Sequence, residues 1–122
     1  DLHSFPTRRS SDLWINHDRM IAFTSQLAHV VSSAYIQSPT AAEHEGFSAG
    51  SYHDLTRVAK LNENMWTELF LDNPDALAFE IDGLMERLSE YSRALKDRDD
   101  EKLHEMLRTG REQKAAIDKE VF

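Results

Sequence analysis

Over residues 18 to about 38 the apolar positions Met20, Phe23, Leu27, Val30/Val31 and Ala34 recur at steps of three and four, which is the spacing of one helix face. Ile21, Ala22, Ala28, Tyr35 and Ile36 fill much of the remaining circumference, so this helix is expected to be central and buried on more than one side. Pro39 stops it, because the residue before a proline is pushed away from helical angles. Residues 39–50 then read as a loop or broken turns. A second helix is expected over 51–60, capped by Ser51, with Tyr52, Leu55, Val58 and Ala59 facing inward and Arg57 on the flank. Asn62 caps a short third helix bearing Met65, Trp66, Leu69 and Phe70, which closes at Asp72-Asn73-Pro74. Pro74 suits the first position of a fourth helix, where its missing N–H costs nothing. That helix, over 74–97, places Leu77, Ile81, Leu84/Met85, Leu88, Tyr91 and Leu95 at near-heptad spacing and calls for a partner helix. A charged turn at 96–100 leads into a fifth helix over 100–120 with a thinner stripe of Leu103, Met106/Leu107, Ala115 and Ile117. Gly110 weakens it by about 1 kcal/mol against alanine. No run of strand period occurs, so the expected fold is all-α, a helical bundle of about five helices.

The 122 residues correspond to one domain or a piece of one. Lys and Arg number 14 against 22 Asp and Glu, a formal net charge of −8, which argues against a nucleic-acid surface because phosphate binding needs a basic patch. The chain has no cysteine, so it has neither a disulfide framework nor a thiolate metal site, and a reducing, cytoplasmic setting follows. No apolar run is long enough for a membrane span. Residues 1–13 are polar and aperiodic and resemble a translated sequencing-adapter peptide, so they are set aside as a non-native or disordered leader. Asp1 and Asp12 cancel Arg8 and Arg9, which leaves the acidity with residues 14–122.

Arg57 is a fixed cation placed just after a glycine turn in this acidic chain. Its guanidinium fork matches a carboxylate in a bidentate pair. The alternative is an exposed arginine paired with Asp54 or a neighbouring acid. Ser25 and His29 stand four apart and share a helix face. On a helix apolar nearly all round they either satisfy each other inside a core or line a cavity, with Gln26 a neutral donor and acceptor nearby. His17, His29, His44 and His53 with Asp18, Glu43 and Glu45 show no zinc-like spacing, and no metal site is assigned. Gly46 and Gly50 are not set in a strand-turn-helix pattern, so no dinucleotide site can be built from this stretch. Trp66, Phe70 and Phe47 read as core aromatics.

The run His17-Asp18, Ser25-Gln-Leu-Ala-His29, Phe47-Ser-Ala-Gly50-Ser-Tyr-His-Asp54-Leu-Thr56-Arg57-Val-Ala, then Met65-Trp66 resembles the C-terminal domain of prephenate dehydrogenases over about residues 15–120. The resemblance implies an all-helical module that dimerises and completes a site whose NAD- or NADP-binding Rossmann domain precedes it and is absent here. The family's reaction, in tyrosine biosynthesis, passes a hydride from the carbinol carbon to the nicotinamide as carbon dioxide leaves, giving 4-hydroxyphenylpyruvate. By that likeness Arg57 grips a substrate carboxylate and His29 reaches the substrate. Ser25 and Thr56 are secondary polar contacts, and Asp54 orients an arginine near the dimer interface. Gln26 is a pocket contact at which many relatives carry histidine, with proline where this chain has Ala28; the departure bears on preference between prephenate and arogenate. The resemblance implies a homodimer, no cofactor or catalytic residue in the fragment itself, and no nucleic-acid or membrane partner. The competing expectation is a free-standing acidic helical interaction module without catalytic activity.

Overall fold

A computed structural model describes residues 16–43 and 49–121, all of the regular structure there being helical. The expected leader at 1–13 lies outside the described residues, as do Trp14, His44, Glu45, Gly46 and Phe47. Five helices occur among the described residues: α1 over 16–36, α2 over Gly50–Thr56, α3 over Glu63–Leu71, α4 over Pro74–Lys96 and α5 over Asp100–Val121, with a 3₁₀ turn Pro39–Glu43 between α1 and α2. The chain divides into two compact units, residues 1–81 and 82–122.

In the first unit, α1 contains a π turn, Ala22–Gln26, in which the Leu27 N–H donates to the Ala22 carbonyl five residues back. An inserted residue of this kind shifts the faces of a helix by one position, since each residue turns the chain by about 100°. The inward face is consequently Ala22, Gln26, Leu27 and Ser32. Met20 and Phe23, expected inside, are exposed. In the single chain α1 is therefore not covered on several sides as its apolar circumference suggested: Ile21, Ala28, Ala34 and Tyr35 also face solvent.

The structure also moves the ends of the second helix. Its N-cap is Ala49, with extended φ/ψ and no side-chain capping bond, rather than Ser51. It closes at Thr56 rather than 60, where the Ala59 N–H turns back to the Thr56 carbonyl at 3.0 Å. The Thr56 hydroxyl donates to the Tyr52 carbonyl at 2.8 Å. Arg57 thus sits in the turn that follows α2, not on its flank.

The caps of α3 and α4 follow the sequence pattern. Asn62 is extended and its Oδ1 accepts from the Met65 N–H at 3.0 Å, satisfying one of the free donors of α3. Pro74 opens α4, with the Leu77 N–H reaching the Asn73 carbonyl at 3.2 Å.

The second unit consists of the remainder of α4 and all of α5. The turn between them is a Schellman motif: Asp99 N–H donates to the Ala94 carbonyl at 2.9 Å and Arg98 N–H to the Leu95 carbonyl at 3.2 Å. Arg98 occupies the left-handed position at φ 52° where glycine is usual. Asp99 then caps α5 through its Oδ1, 3.0 Å from the Lys102 nitrogen. Lys102 also pairs with Glu90 across the turn at 3.7 Å.

Candidate functional site

The sequence-predicted residues fall on two packed elements. Ser25, Gln26 and His29 lie on α1, Asp54 and Thr56 on α2, and Arg57 directly after α2. The Leu27–Ile36 part of α1 packs against α2, and the Tyr35 and Tyr52 rings meet across that contact at 6.2 Å. α1 and α2 are therefore neighbours, although no hydrogen bond or ion pair joins Arg57 to His29 among the described residues.

Arg57 is exposed, and so is Asp54. Neither has an ion-pair partner among the described residues. The surface pair with Asp54, which the spacing left open, is not formed. Among the described residues the guanidinium makes no hydrogen bond or ion pair, while Thr56 beside it spends its hydroxyl proton on its own helix.

His29 is held on two sides. Its Nδ1 lies 2.8 Å from the Ser25 carbonyl, and a carbonyl only accepts, so Nδ1 carries the proton and Nε2 is left as the free acceptor of the neutral ring. One face of the imidazole stacks on Trp66, with centroids 4.1 Å apart and planes at 23°. Trp66 in turn packs against Phe70 at 5.5 Å. His29 and Ser25 do interact, but through the serine backbone, and both side chains remain half-buried.

Gln26 occupies a different environment from its neighbours. At 6% exposure it donates from Nε2 to the Leu69 carbonyl at 3.1 Å and accepts at Oε1 from Asn73 at 3.0 Å. The Asn73 amide also reaches the Asp18 carbonyl at 2.9 Å. Leu69 lies in the last turn of α3, where carbonyls lack helical partners, so Gln26 supplies a missing bond there. Its amide is used inside the fold. Sequence reasoning treated Asn73 as punctuation and Trp66 as core filler; the π turn that swings Gln26 inward leaves no trace in the hydrophobic period.

An open depression of about 570 Å³ lies between the start of α1 and the α3–α4 junction, lined by Asp18, Arg19, Asp72, Asp75 and Phe79 among others. Three carboxylates against one guanidinium suit no carboxylate-bearing ligand, and none of the predicted site residues lines it. Among the described residues no three His, Asp or Glu side chains come together as a metal would require, and no helix there is long and apolar enough to cross a membrane.

Comparison with known proteins agrees with the helical architecture. Residues 15–109 match the family described as "Prephenate dehydrogenase, dimerization domain". The chain is similar to the cyclohexadienyl dehydrogenase of Zymomonas mobilis, 29% identical over 108 residues that cover 84% of this chain and 37% of that protein. Similarity extends to the prephenate dehydrogenase of Lactococcus lactis, 26% identical over 84% of this chain and 30% of the relative. For the prephenate dehydrogenase of Bacillus subtilis the figures are 23% identity over 79% and 27%. The chain thus spans about a third of the length of these curated relatives. With its all-helical fold and a match across most of its length, the chain belongs to the prephenate dehydrogenase dimerization-domain family.

Proposed function

We propose that the chain is the C-terminal part of an NAD- or NADP-dependent prephenate dehydrogenase of tyrosine biosynthesis, supplying a homodimer interface and the grip on the substrate carboxylate. The observation that carries the reading is Arg57: an exposed guanidinium with no partner among the described residues, next to an element packed on the helix that presents His29. Bidentate arginine–carboxylate pairs are charge-assisted and geometrically specific. His29, with Nδ1 committed to Ser25, offers Nε2 to the substrate as an acceptor when neutral and as a donor when protonated. In this reading Ser25, one turn before His29, and Asp54 and Thr56, close before Arg57 in the chain, are secondary polar contacts. Gln26 serves the reading by placing α3 rather than by touching substrate.

The chemistry of hydride removal and decarboxylation is not assigned to these residues. A dinucleotide site of the Rossmann kind needs a strand feeding a glycine-rich turn at a helix N-terminus, and no strand occurs among the described residues. The described residues do not fit that cofactor, and in this reading it belongs to the parent's other domain. The contribution of this chain is binding and orientation, which raises the effective concentration of correctly placed substrate. A cytoplasmic setting accords with the cysteine-free composition.

The test joins this chain to the NAD-binding domain of a relative and compares Arg57→Ala and Arg57→Lys with the parent. Loss of a hydrogen bond to a charged group costs about 1.5–3 kcal/mol, so kcat/KM for prephenate is expected to fall roughly 10- to 100-fold in Arg57→Ala. Lysine, a point charge without the fork, should recover part of it. An unchanged kcat/KM in Arg57→Ala would reject the carboxylate role.

A further inference from the structure

Two contacts cross between α1 and α3, and they run in register. Gln26 on α1 meets Leu69 on α3 through a hydrogen bond of 3.1 Å. One turn further along α1 and one turn back along α3, His29 meets Trp66 in a ring stack at 4.1 Å. Residues three apart share a helix face, so 26 and 29 on one helix and 69 and 66 on the other make two successive rungs of an antiparallel pair. Asn73 anchors the first rung from the far side, bonded to Gln26 Oε1 at 3.0 Å and to the Asp18 carbonyl at 2.9 Å.

From this we infer that Gln26 and Trp66 are positioning residues for His29: the buried amide rung sets the spacing of α1 and α3, and the indole face then holds the imidazole in the plane that keeps Nδ1–H on the Ser25 carbonyl and Nε2 outward. A histidine side chain on an open helix face rotates freely about its terminal torsion. Here rotation would break both the stack and the 2.8 Å bond to Ser25. The clamp therefore selects one of the two neutral tautomers, and with it the direction in which the ring can accept a proton or a hydrogen bond. The inference rests on the reading of His29 as a substrate contact, because a fixed Nε2 matters to function only if something binds there.

The tautomer is directly observable. In the ¹⁵N-labelled chain, long-range ¹H–¹⁵N correlation of the imidazole signals, with His29 assigned by their loss in His29→Gln, is expected to show His29 predominantly protonated at Nδ1. Trp66→Phe, which keeps an aromatic face, should retain that pattern. Trp66→Leu and Gln26→Leu should lose it, with His29 reverting to the mixed pattern of a free imidazole while far-UV dichroism stays helical. A wild-type His29 protonated at Nε2 overturns the proposal, as does an unaltered Nδ1–H pattern in a helical Trp66→Leu. Should Trp66→Leu fail to fold, the wild-type tautomer and the contrast between Trp66→Phe and Gln26→Leu decide it alone. Adding prephenate to the joined enzyme separates the two claims: the clamp keeps Nδ1 on the Ser25 carbonyl throughout, and a His29 Nε2 signal that prephenate leaves unshifted counts against the substrate contact while sparing the clamp.

Discussion

Ser32 is 1% exposed and its hydroxyl has no hydrogen-bond partner among the described residues. A buried polar group left unpaired costs about 1–3 kcal/mol. Ser32→Ala removes that cost with little change of shape, and is expected to raise the unfolding free energy by about 1 kcal/mol in urea titrations; a destabilised variant would show that the hydroxyl is bonded in solution. On α5, Arg108 is flanked by Glu105 at 2.6 Å and Glu112 at 3.2 Å. The hydrogen bond from Arg108, and then its charge, hold the Glu105 carboxyl below its ordinary value of 4.5. A depressed carboxylate supports the fold above its unfolded value and loses that contribution as pH falls through the folded one. In Arg108→Gln the NMR titration midpoint of Glu105 should therefore rise; an unmoved midpoint would dismiss the pair. Residue chemistry of this sort was partly legible beforehand. Arg57 could be singled out because a cation in an acidic chain is conspicuous, and His29 with Ser25 because four residues make one helical turn. That His29 is held by a serine carbonyl and an indole face depends on which elements meet, and spacing along one helix does not encode it.

The elements whose ends are written in side chains came out where the pattern put them. Asn62 caps α3 through its own amide oxygen, and Pro74 opens α4, because both act within one turn of themselves. Boundaries that depend on backbone alone did not. Ser51 was the best cap by residue type, yet α2 starts from the extended Ala49, and the π turn that brings Gln26 to the inward face of α1 has no side-chain signature of its own. The α4–α5 turn offers a test at this scale. Arg98 stands at φ 52°, a conformation that costs an L-residue about 1–2 kcal/mol and glycine almost nothing. Set against the extra chain entropy of glycine, Arg98→Gly is expected to stabilise the chain by roughly 0.5–1 kcal/mol. Thermal unfolding followed by dichroism reads this directly, and a lower midpoint would mean that the arginine side chain makes compensating contacts.

For the whole molecule, the balance of covered and uncovered apolar surface bears on the proposed homodimer. Among the described residues the buried hydrophobic side chains are Ala22, Leu27, Leu77 and Ala94, two of them alanines, which is thin for independent stability in a chain of this size. Of the near-heptad positions on α4, Leu77 is buried while Leu88 and Leu95 are more than half exposed, and Met85 beside them is too. On α5, Leu107 and Ile117 are likewise exposed. Apolar stripes at this spacing are what a partner helix covers, and the family to which the chain belongs is described by its dimerization. The heptad pattern was visible from the start. Which positions the chain covers by itself was not, because a stripe that packs within one chain and a stripe that packs on another have the same period.

Sedimentation equilibrium of the chain and of the double variant Leu88→Glu/Leu95→Glu is the most direct test of the proposed dimer-forming role. The account predicts a species of twice the 14.1 kDa chain mass for the wild type, a shift toward a single chain for the variant, and no dehydrogenase turnover from either. A wild-type chain that stays at 14.1 kDa at high concentration would contradict it.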